Sequence, residues 1–321
     1  MRPNAGADPD ARSLPVAAAR MWWILAAVAA AALACLSWGW IEARVFTVRR
    51  VVVPVLPPAS APLRILHVSD IHLDPRQGRK IRWLRGLAAL KPDVVVNTGD
   101  NLGRPDAVGP VLDALGPLLA CPGVFVNGSN DYFAPRPQNP FTYFRGPTGE
   151  GARRELLPTG DLIRGFVDAG WIDLNNARGA INVRGLRVSF VGVDDPHIGR
   201  DSMPGPGGRL GVVHIGVAHA PYARILEGFR VDGVDLVLAG HTHGGQVRIP
   251  GIGALVTNCD IDRGRARGLS RWPGRRLDEP GGEDSIWIHV SAGVGTSPFA
   301  PIRFACRPEA TLVTLSARGE G

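Results

Sequence analysis

Two histidines near the middle of the second half of the chain, His241 and His243, are the residues best placed to do chemistry. They lie in the segment Gly-His-Thr-His-Gly-Gly-Gln at 240–246, which follows the apolar run 234–239. Imidazole is the commonest metal-ligating side chain near neutral pH, and the glycines allow close approach of the backbone. Two imidazoles beyond a buried strand therefore suggest a metal site, although an isolated His-x-His pair is as often a plain surface or core feature.

Four other segments place polar residues directly after predicted strands. They are Asp70-Ile71-His72, Gly99-Asp100-Asn101, Gly128-Ser129-Asn130-Asp131 and His219-Ala220-Pro221. Ligands of an α/β sheet collect beyond the carboxyl ends of its strands, so these side chains are expected to meet. Each segment alone could be a turn or a core histidine, but five together indicate a metal site. Carboxylate, imidazole and carboxamide ligands suit Zn, Mn or Fe without choosing among them.

The elements that must position these residues follow from the apolar pattern. Runs at 63–70, 94–98 and 124–126 read as strands, and apolar residues at helical spacing within 81–88 and 111–119 read as helices. This βαβαβ order predicts a parallel-containing sheet covered by helices. Further strands are expected at 181–193, 210–218, 234–239, 286–291 and 310–315. Residues 134–160, with five prolines, read as a long irregular insertion of the kind that often forms a lid.

The N-terminal region predicts a membrane anchor. Residues 1–20 are polar and Ala-rich and read as a disordered tail, and residues 21–41 are apolar and uncharged, with tryptophans at both ends. This length crosses a bilayer, so we expect one transmembrane helix, with a cleaved signal peptide as the alternative. Residues 42–62 read as a proline-stiffened linker. The arginines on the two sides nearly balance, and the short tail favours a cell-membrane anchor with an extracytoplasmic domain.

Composition narrows the function class. The formal net charge is +7, carried almost entirely by arginines that are spread along the chain. A nucleic-acid partner would call for clustered basic residues with interleaved aromatics, so none is expected. The four cysteines form no Cys-x-x-Cys pair, which disfavours a zinc ribbon or a thioredoxin-like site. A single bridge between Cys259 and Cys306 stays open, with buried thiols as the alternative.

The combined motifs resemble the calcineurin-like metallophosphoesterases over about residues 63–316. The segment at 240–246 is most similar to that of a membrane-anchored bacterial branch, as are the later Gly295-Thr296-Ser297 and Pro301-Ile302-Arg303-Phe304. The resemblance implies a four-layer αββα sandwich, an α/β fold, as the domain of residues 63–316. It also implies a site for two divalent metal ions. By resemblance, the ligands of one ion are Asp70, His72 and His243, those of the other are Asn130, His219 and His241, and Asp100 bridges the two.

This ligand set implies a hydrolase. Two cations roughly 3.5–4 Å apart can share a hydroxide and clamp the attacking and leaving oxygens of a phosphoryl group. Because metal ions lower the pKa of bound water toward 7, no serine or cysteine nucleophile is needed. The expected reaction is hydrolysis of a phosphate mono- or diester or a pyrophosphate. The anchor favours a lipid-linked substrate over a free phosphorylated small molecule.

One segment departs from the family pattern, which reads Gly-Asn-His-(Asp/Glu) where this chain reads Gly128-Ser129-Asn130-Asp131. A gapless match puts Ser129 at the ligand asparagine and Asn130 at the histidine. A one-residue slip, which we prefer because a carboxamide oxygen is the better ligand, keeps Asn130 as ligand and leaves Asp131 near the histidine position. Asn130 and Asp131 are therefore the catalytic candidates, and the alternative function is a metal-binding pseudoenzyme or binding module.

Several other residues could complete the site. His67 or His197 could substitute for the missing histidine. The segment Asp194-Asp195-Pro196-His197 could reach the site or form a turn. Arg136, Arg145 and Arg303 are candidates for contact with a phosphate or an anionic head group.

Overall fold

Two six-stranded sheets stacked face to face form the body of the molecule. The computed structural model describes residues 14–135, 155–205, 207, 209–274, 282, 284–296 and 299–319. The helices are α1 (Leu14–Glu42), α2 (Gly78–Gly86), α3 (Val108–Leu119), α4 (Ser129–Tyr132), α5 (Thr159–Asp168) and α6 (Ala223–Val231). The expected tail residues 1–13, and Arg136, Arg145 and Ser297, lie outside the described residues.

The first sheet carries the N-terminal half of the candidate site. Its strands are β1 (Thr47–Leu56), β2 (Leu63–Val68), β3 (Val94–Asn97), β4 (Gly123–Phe125), β5 (Ile172–Asp173) and β14 (Glu309–Ala317). Their order is β1-β14-β2-β3-β4-β5. Strands β2 to β5 are mutually parallel, so the carboxyl ends of β2, β3 and β4 open on one edge.

The second sheet carries the remaining histidines. Its strands are β6 (Arg178–Val183), β7 (Leu186–Gly192), β8 (Val213–Ala218), β9 (Leu236–Ala239), β12 (Gly268–Trp272) and β13 (Ile286–Val290). Their order is β12-β13-β9-β8-β7-β6. The four central strands are parallel and the two edge strands are antiparallel to them. A separate hairpin consists of β10 (Arg248–Ile249) and β11 (Gly253–Ala254).

Alternation along the strands produces the layers. In β3, Val94 and Val96 pack between the two sheets, whereas Val95 packs under the helices. Both faces of the strand are buried, which explains its unbroken apolar sequence. Helices α2, α3 and α5 cover the first sheet, and α6 covers the second with Leu226 and Phe229. The result is the αββα sandwich expected from the resemblance.

The segment expected to be a linker, 42–62, differs in the structure. Strand β1 occupies its centre and pairs in parallel with β14, from Thr47 opposite Glu309 to Leu56 opposite Ala317. Val53, Val55 and Leu56 are buried in the core between the sheets. An apolar strand next to an available edge buries its side chains and pairs its backbone, which extended solvated chain does not do. The sandwich therefore includes residues before position 63.

One expected strand also differs, and the two alternatives for the cysteines are decided. The strand expected over 181–193 is a hairpin of β6 and β7, which turns at Arg184 and Gly185, both with positive φ. All four cysteines are free, so Cys259 and Cys306 are not bridged.

Helix α1 contains the N-terminal apolar segment. Its residues Ala18–Glu42 are long and apolar enough to cross a membrane. Trp22 and Trp23 near its start are 68% and 77% exposed, so this helix is not part of the domain core. The expected span 21–41 falls inside it.

Candidate metal centre

Five predicted ligands lie in turns with unusual backbone geometry just beyond the strand ends. Their φ angles are 50° at Asp70, 42° at His72, 55° at Asp100, 67° at His241 and 49° at His243. Non-glycine residues seldom adopt positive φ, and such strain clusters where function requires a fixed side-chain direction. Here the turns aim all five side chains into one volume between the sheet ends.

Two glycines make room for that convergence. A Cβ atom at Gly240 would lie 1.9 Å from Ser69 Oγ and 2.5 Å from Asp70 Oδ2. A Cβ atom at Gly128 would lie 2.3 Å from Asp100 Oδ1. Only glycine permits these backbones to approach the carboxylates so closely.

The first half of the site contains Asp70, His72 and His243. Their potential ligand atoms all lie within 4.8 Å of one another. The two Nε2 atoms of His72 and His243 are 3.2 Å apart, and His243 Nε2 is 3.6 Å from Asp70 Oδ1. One carboxylate and two imidazoles at this spacing match a first-row divalent ion.

The second half of the site contains His219 and His241. His219 Nδ1 lies 2.8 Å from the Thr98 carbonyl oxygen, and His241 Nε2 lies 3.0 Å from the Asn258 carbonyl oxygen. A carbonyl only accepts, so each of these ring nitrogens donates its proton there. A hydrogen bond from one ring nitrogen to a backbone carbonyl oxygen is typical of metal-ligating histidines, because it fixes the tautomer and the orientation of the ring.

The fit to a metal ion follows from the other two ring nitrogens. His219 Nε2 and His241 Nδ1 face each other at 3.3 Å, and the carbonyl bonds leave both without a proton in the neutral rings. Two facing lone pairs require a cation, either an extra proton or a metal ion. Two nitrogens bound tetrahedrally to one zinc ion at its usual bond length would be about 3.3–3.4 Å apart.

Asp100 lies between the two halves. Its Oδ2 is 3.4 Å from His72 Nε2, and its Oδ1 is 3.6 Å from His219 Nε2. Asp100 also shares a compact group with Asp70 and His219, whose ligand atoms lie within 4.8 Å of one another. Asp100 therefore lies next to ligands of both halves, as a bridging residue would, and Asp70 lies within the same compact group.

The electrostatics of the histidines favour cation binding. Burial lowers the pKa of His72 to about 4. Burial likewise lowers the pKa values of His241 and His243 well below the usual range, helped by neighbouring cationic groups. These rings are therefore neutral near pH 7 and offer lone pairs. Burial lowers the pKa of His219 too, but the carboxylates of Asp100 and Asp195 outweigh it and raise this pKa to about 9.

The acids of the site carry opposite shifts. Burial raises the pKa of Asp70 to about 6. Burial would also raise the pKa of Asp100, but His219, His72 and hydrogen bonds from Asn130 outweigh it, and the net shift is downward. Asp100 is therefore the carboxylate that keeps its negative charge to the lower pH.

Asn130 contacts Asp100 twice. Its backbone N–H donates to Asp100 Oδ1 at 2.7 Å, and its side-chain Nδ2 donates to Oδ2 at 2.8 Å. The amide nitrogen is thus directed at Asp100, so the side chain of Asn130 lies beside the predicted bridging carboxylate. Ser129 Oγ lies 3.4 Å from the same Nδ2, so both alignments bring their residue next to the site.

Asp131, one of the two catalytic candidates, has a carboxylate that faces backbone N–H groups. Its carboxylate is fully buried and accepts hydrogen bonds from the backbone N–H groups of Asp100, Asn101 and Gly128 at 2.8–3.0 Å. Burial raises its pKa to about 7. These contacts fix the loop that carries Asp100, so the geometry gives Asp131 a positioning role.

The two candidate substitutes for the missing histidine lie in different surroundings. His67 is fully buried, with Nε2 3.0 Å from Thr98 Oγ1 and Nδ1 3.0 Å from His289 Nδ1. His197 is partly exposed, and its ring lies 4.5 Å from that of His241. Its Nδ1 is 3.0 Å from the Tyr222 hydroxyl. Of the two, only His197 combines solvent access with contact to a predicted ligand.

Arg303 is not available for a substrate, because it is fully buried. Its guanidinium donates to the carbonyl oxygens of Ala292 and Gly295, both at 2.6 Å, and approaches His243 Nδ1 at 3.3 Å. Arg303 therefore holds the ring of a predicted ligand. Lys80 likewise supports the site from within the protein. Its buried Nζ donates to the carbonyl oxygen of Ile71, the residue between Asp70 and His72, at 2.8 Å.

Sequence reasoning missed Thr98 and Asn258, which orient the histidines through backbone carbonyl oxygens. A carbonyl is present at every position, so no residue type signals this role. The Asp194-Asp195 segment does reach the site, because Asp195 is fully buried and its charge acts on His219.

The chain is similar in sequence to known phosphoesterases. A family model described as calcineurin-like phosphoesterase matches residues 63–245. The chain is 26% identical over 263 residues to phosphodiesterase YaeI of Escherichia coli (strain K12), covering 80% of the chain and 83% of that protein. It is 29% identical over 283 residues to an uncharacterized metallophosphoesterase of Aquifex aeolicus (strain VF5), covering 82% and 88%.

A third relative is named as a transmembrane protein with a metallophosphoesterase domain, from Bos taurus. The chain is 30% identical to it over 219 residues, which cover 66% of the chain and 47% of that protein. Among solved structures, NAD nucleotidase of Haemophilus influenzae aligns with a TM-score of 0.41 at 12% identity, covering 73% of the chain and 51% of that structure.

Proposed function

The chain belongs to the calcineurin-like phosphoesterase family, and we propose that it is a phosphoric ester hydrolase that depends on two divalent metal ions. The proposed ligands are Asp70, His72, Asp100, Asn130, His219, His241 and His243. The observation that carries the proposal is the pair His219 and His241, whose ring nitrogens on the side away from the carbonyl oxygens face each other at 3.3 Å beside Asp100.

The metal ions would supply a nucleophilic water of lowered pKa and neutralise the charge of the phosphoryl group. The chain's own residues prepare the place for them. Thr98 and Asn258 hold His219 and His241 in the tautomers that expose lone pairs to the site. Asp131 fixes the turn of Asp100 through the backbone N–H groups of Asp100 and Asn101. Such preorganisation lowers the reorganisation that the reaction requires.

His197 is the proposed replacement for the missing family histidine. It lies at the partly exposed side of His241 and contacts the Tyr222 hydroxyl at 3.0 Å. Its position suits donation of a proton to a leaving oxygen or stabilisation of a phosphoryl oxygen. We expect substrates with good leaving groups to depend on it least.

We further propose that α1 anchors the domain in the cell membrane, with the domain on the extracytoplasmic side and a lipid-linked phosphate or pyrophosphate as substrate. Support comes from the length and exposure of α1 and from a relative named as a transmembrane protein. Extraction of membranes with alkaline carbonate tests the anchoring, and a topology reporter fused after Arg50 tests the side.

The experiment for the activity is a phosphoester panel assayed separately with Mn, Zn, Fe and Co. The full-length chain should hydrolyse an aryl phosphodiester or monoester with at least one metal. Asp100→Asn should abolish the activity. Asp113→Asn, which alters an exposed aspartate of α3, is the matched control and should leave it unchanged. Inactivity of the metal-loaded chain on the whole panel would refute the proposal.

A metal-binding pseudoenzyme remains the second candidate, because the segment Ser129-Asn130-Asp131 lacks the family histidine. It predicts two bound metal ions per chain without turnover on the same panel. The panel and a metal analysis of the same sample therefore separate the two candidates.

A further inference from the structure

The last turns of α1 are docked on the domain. Arg303 N donates to the Gly39 carbonyl oxygen at 2.9 Å, and a Cβ atom at Gly39 would lie 3.3 Å from the Arg303 carbonyl oxygen. The Glu42 carboxylate, which is 5% exposed, accepts from the N–H groups of Ala305 at 3.0 Å and Cys306 at 2.7 Å. If α1 spans the bilayer, these contacts hold residues 303–306 at its surface.

A groove opens beside this docking point. It has a volume of about 600 Å³ and is lined by Thr47, Val48, Arg49, Arg50, Val51, Arg267 and Gly268. Thr47 follows Glu42 by five residues, a length that spans at most about 18 Å. None of the predicted metal ligands lines this groove.

Two arginines tie the groove to the residues that hold α1. Arg267 Nη1 lies 3.7 Å from the sulfur of Cys306, whose backbone N–H donates to Glu42. Arg248 N donates to the Phe304 carbonyl oxygen at 2.9 Å, one residue before Ala305. The groove therefore lies beside the C-terminal end of α1.

The charge of the groove is strongly positive. Arg49, Arg50 and Arg267 belong to its lining. Burial lowers the pKa of the nearby Arg248, as do the positive charges of Arg267 and Arg49. Glu309 is the one carboxylate that bonds to this group in the described part of the chain, and it pairs with Arg49, whose side chain remains 41% exposed. The arginines outnumber their counter-charge, so the groove has capacity for an added anion.

The chemistry of that anion follows from the side chains. Guanidinium groups present a planar fork that fits phosphate oxygens. Among the lining residues there is no aromatic ring on which a nucleic-acid base could stack. Basic residues directly beside a membrane helix attract anionic lipids.

We propose that this groove binds the phosphate head group of an anionic phospholipid in the membrane that α1 spans. This proposal rests on the proposed anchoring by α1 but not on the proposed hydrolysis. The nearby Arg248 contacts the loop that carries His243, because its Nη1 donates to the Gly244 carbonyl oxygen at 2.8 Å.

The experiment is a calorimetric titration of the full-length chain in a non-ionic detergent with dihexanoyl phosphatidylglycerol. Dihexanoyl phosphatidylcholine and inorganic phosphate are titrated in parallel. Phosphatidylglycerol should bind more tightly than either. The double variant Arg50→Gln/Arg267→Gln should weaken its binding about 30-fold, since each juxtamembrane arginine contributes about fivefold. Arg82→Gln/Arg187→Gln, which removes the same charge from exposed positions, should leave binding unchanged.

Each other result overturns the assignment. Equal affinity for phosphatidylcholine refutes an anion site, and equal affinity for inorganic phosphate refutes a lipid site. An equal loss in the Arg82/Arg187 control refutes the groove as the location. His241→Ala should not alter the lipid affinity, and a loss there would place the lipid at the proposed metal site. These titrations use soluble lipids and the protein without added divalent metal ions, so they fail or succeed independently of hydrolysis and of membrane insertion.

Discussion

Replacement of Glu42 by alanine tests whether α1 is an integral part of the domain. The Glu42 carboxylate accepts three hydrogen bonds, from Trp38 Nε1 at 3.0 Å and from the backbone N–H groups of Ala305 and Cys306 at 3.0 and 2.7 Å. The Cys306 residue is buried, whereas Ala305 is exposed. Alanine removes all three acceptor contacts without changing the helix propensity unfavourably.

The loss of stability in Glu42→Ala follows from the backbone N–H groups that lose their acceptor. A buried N–H group without an acceptor costs about 2 kcal/mol, and the more exposed bond of Ala305, which water can replace, costs about 1 kcal/mol. For a domain of this size, about 3 kcal/mol corresponds to a fall in melting temperature of about 6–12 °C. The melting temperature of Glu42→Gln should lie between those of the wild type and Glu42→Ala, because its amide oxygen accepts from one donor while its NH₂ group opposes the other.

The assay is thermal unfolding of the full-length chain in detergent, followed by circular dichroism. Glu227→Ala is the matched control, because Glu227 is paired with Arg230 but its side chain is 46% exposed, and exposed pairs contribute about 0–1 kcal/mol. A melting temperature for Glu42→Ala within the range of that control would refute the docking of α1.

Three further predictions concern the site. Arg303→Lys keeps the charge but loses the fork that holds His243, so we expect metal affinity to fall about 10–100-fold in a metal titration, and unchanged affinity would contradict this role. Asn130→His replaces a proposed ligand, so we expect the rate to fall; a rise of about tenfold or more on substrates with poor leaving groups would show instead that the gapless match places the family histidine at this position. In the metal-free protein, burial raises the pKa of Asp195 from 3.8 to about 7, so ionisation of the unfolded chain lowers wild-type stability as pH rises through this interval. The stability advantage of Asp195→Asn should therefore grow between pH 5 and pH 7.5 in thermal unfolding, and a gap independent of pH would contradict it.

Local patterns were sufficient for much of the sandwich. The run Val94–Asn97 is buried on both faces, so its unbroken apolar sequence predicts a central strand. Asp70, His72 and Asp100 follow such strands directly, and their meeting follows from the parallel arrangement alone.

Features that depend on distant partners could not be predicted in this way. The segment that forms β1 looks like a proline-rich linker in sequence. The strand depends on pairing with β14, which begins at Glu309 at the other end of the chain, so no local pattern indicates it. Arg303 resembles a substrate contact in sequence, since the carbonyl oxygens that surround it carry no residue signal. The one-residue slip places Asp131 near the position of the family histidine, and only the fold shows that its carboxylate faces backbone N–H groups.

The central claim is that the histidines and carboxylates at the strand ends hold two metal ions. Elemental analysis of the purified full-length chain after metal loading tests this claim most directly, with Asp100→Asn and Asp113→Asn measured beside it. The account predicts two divalent ions per chain for the wild type and for Asp113→Asn, and a clear loss for Asp100→Asn. Fewer than two ions in the wild type, or an unchanged content in Asp100→Asn, would contradict it.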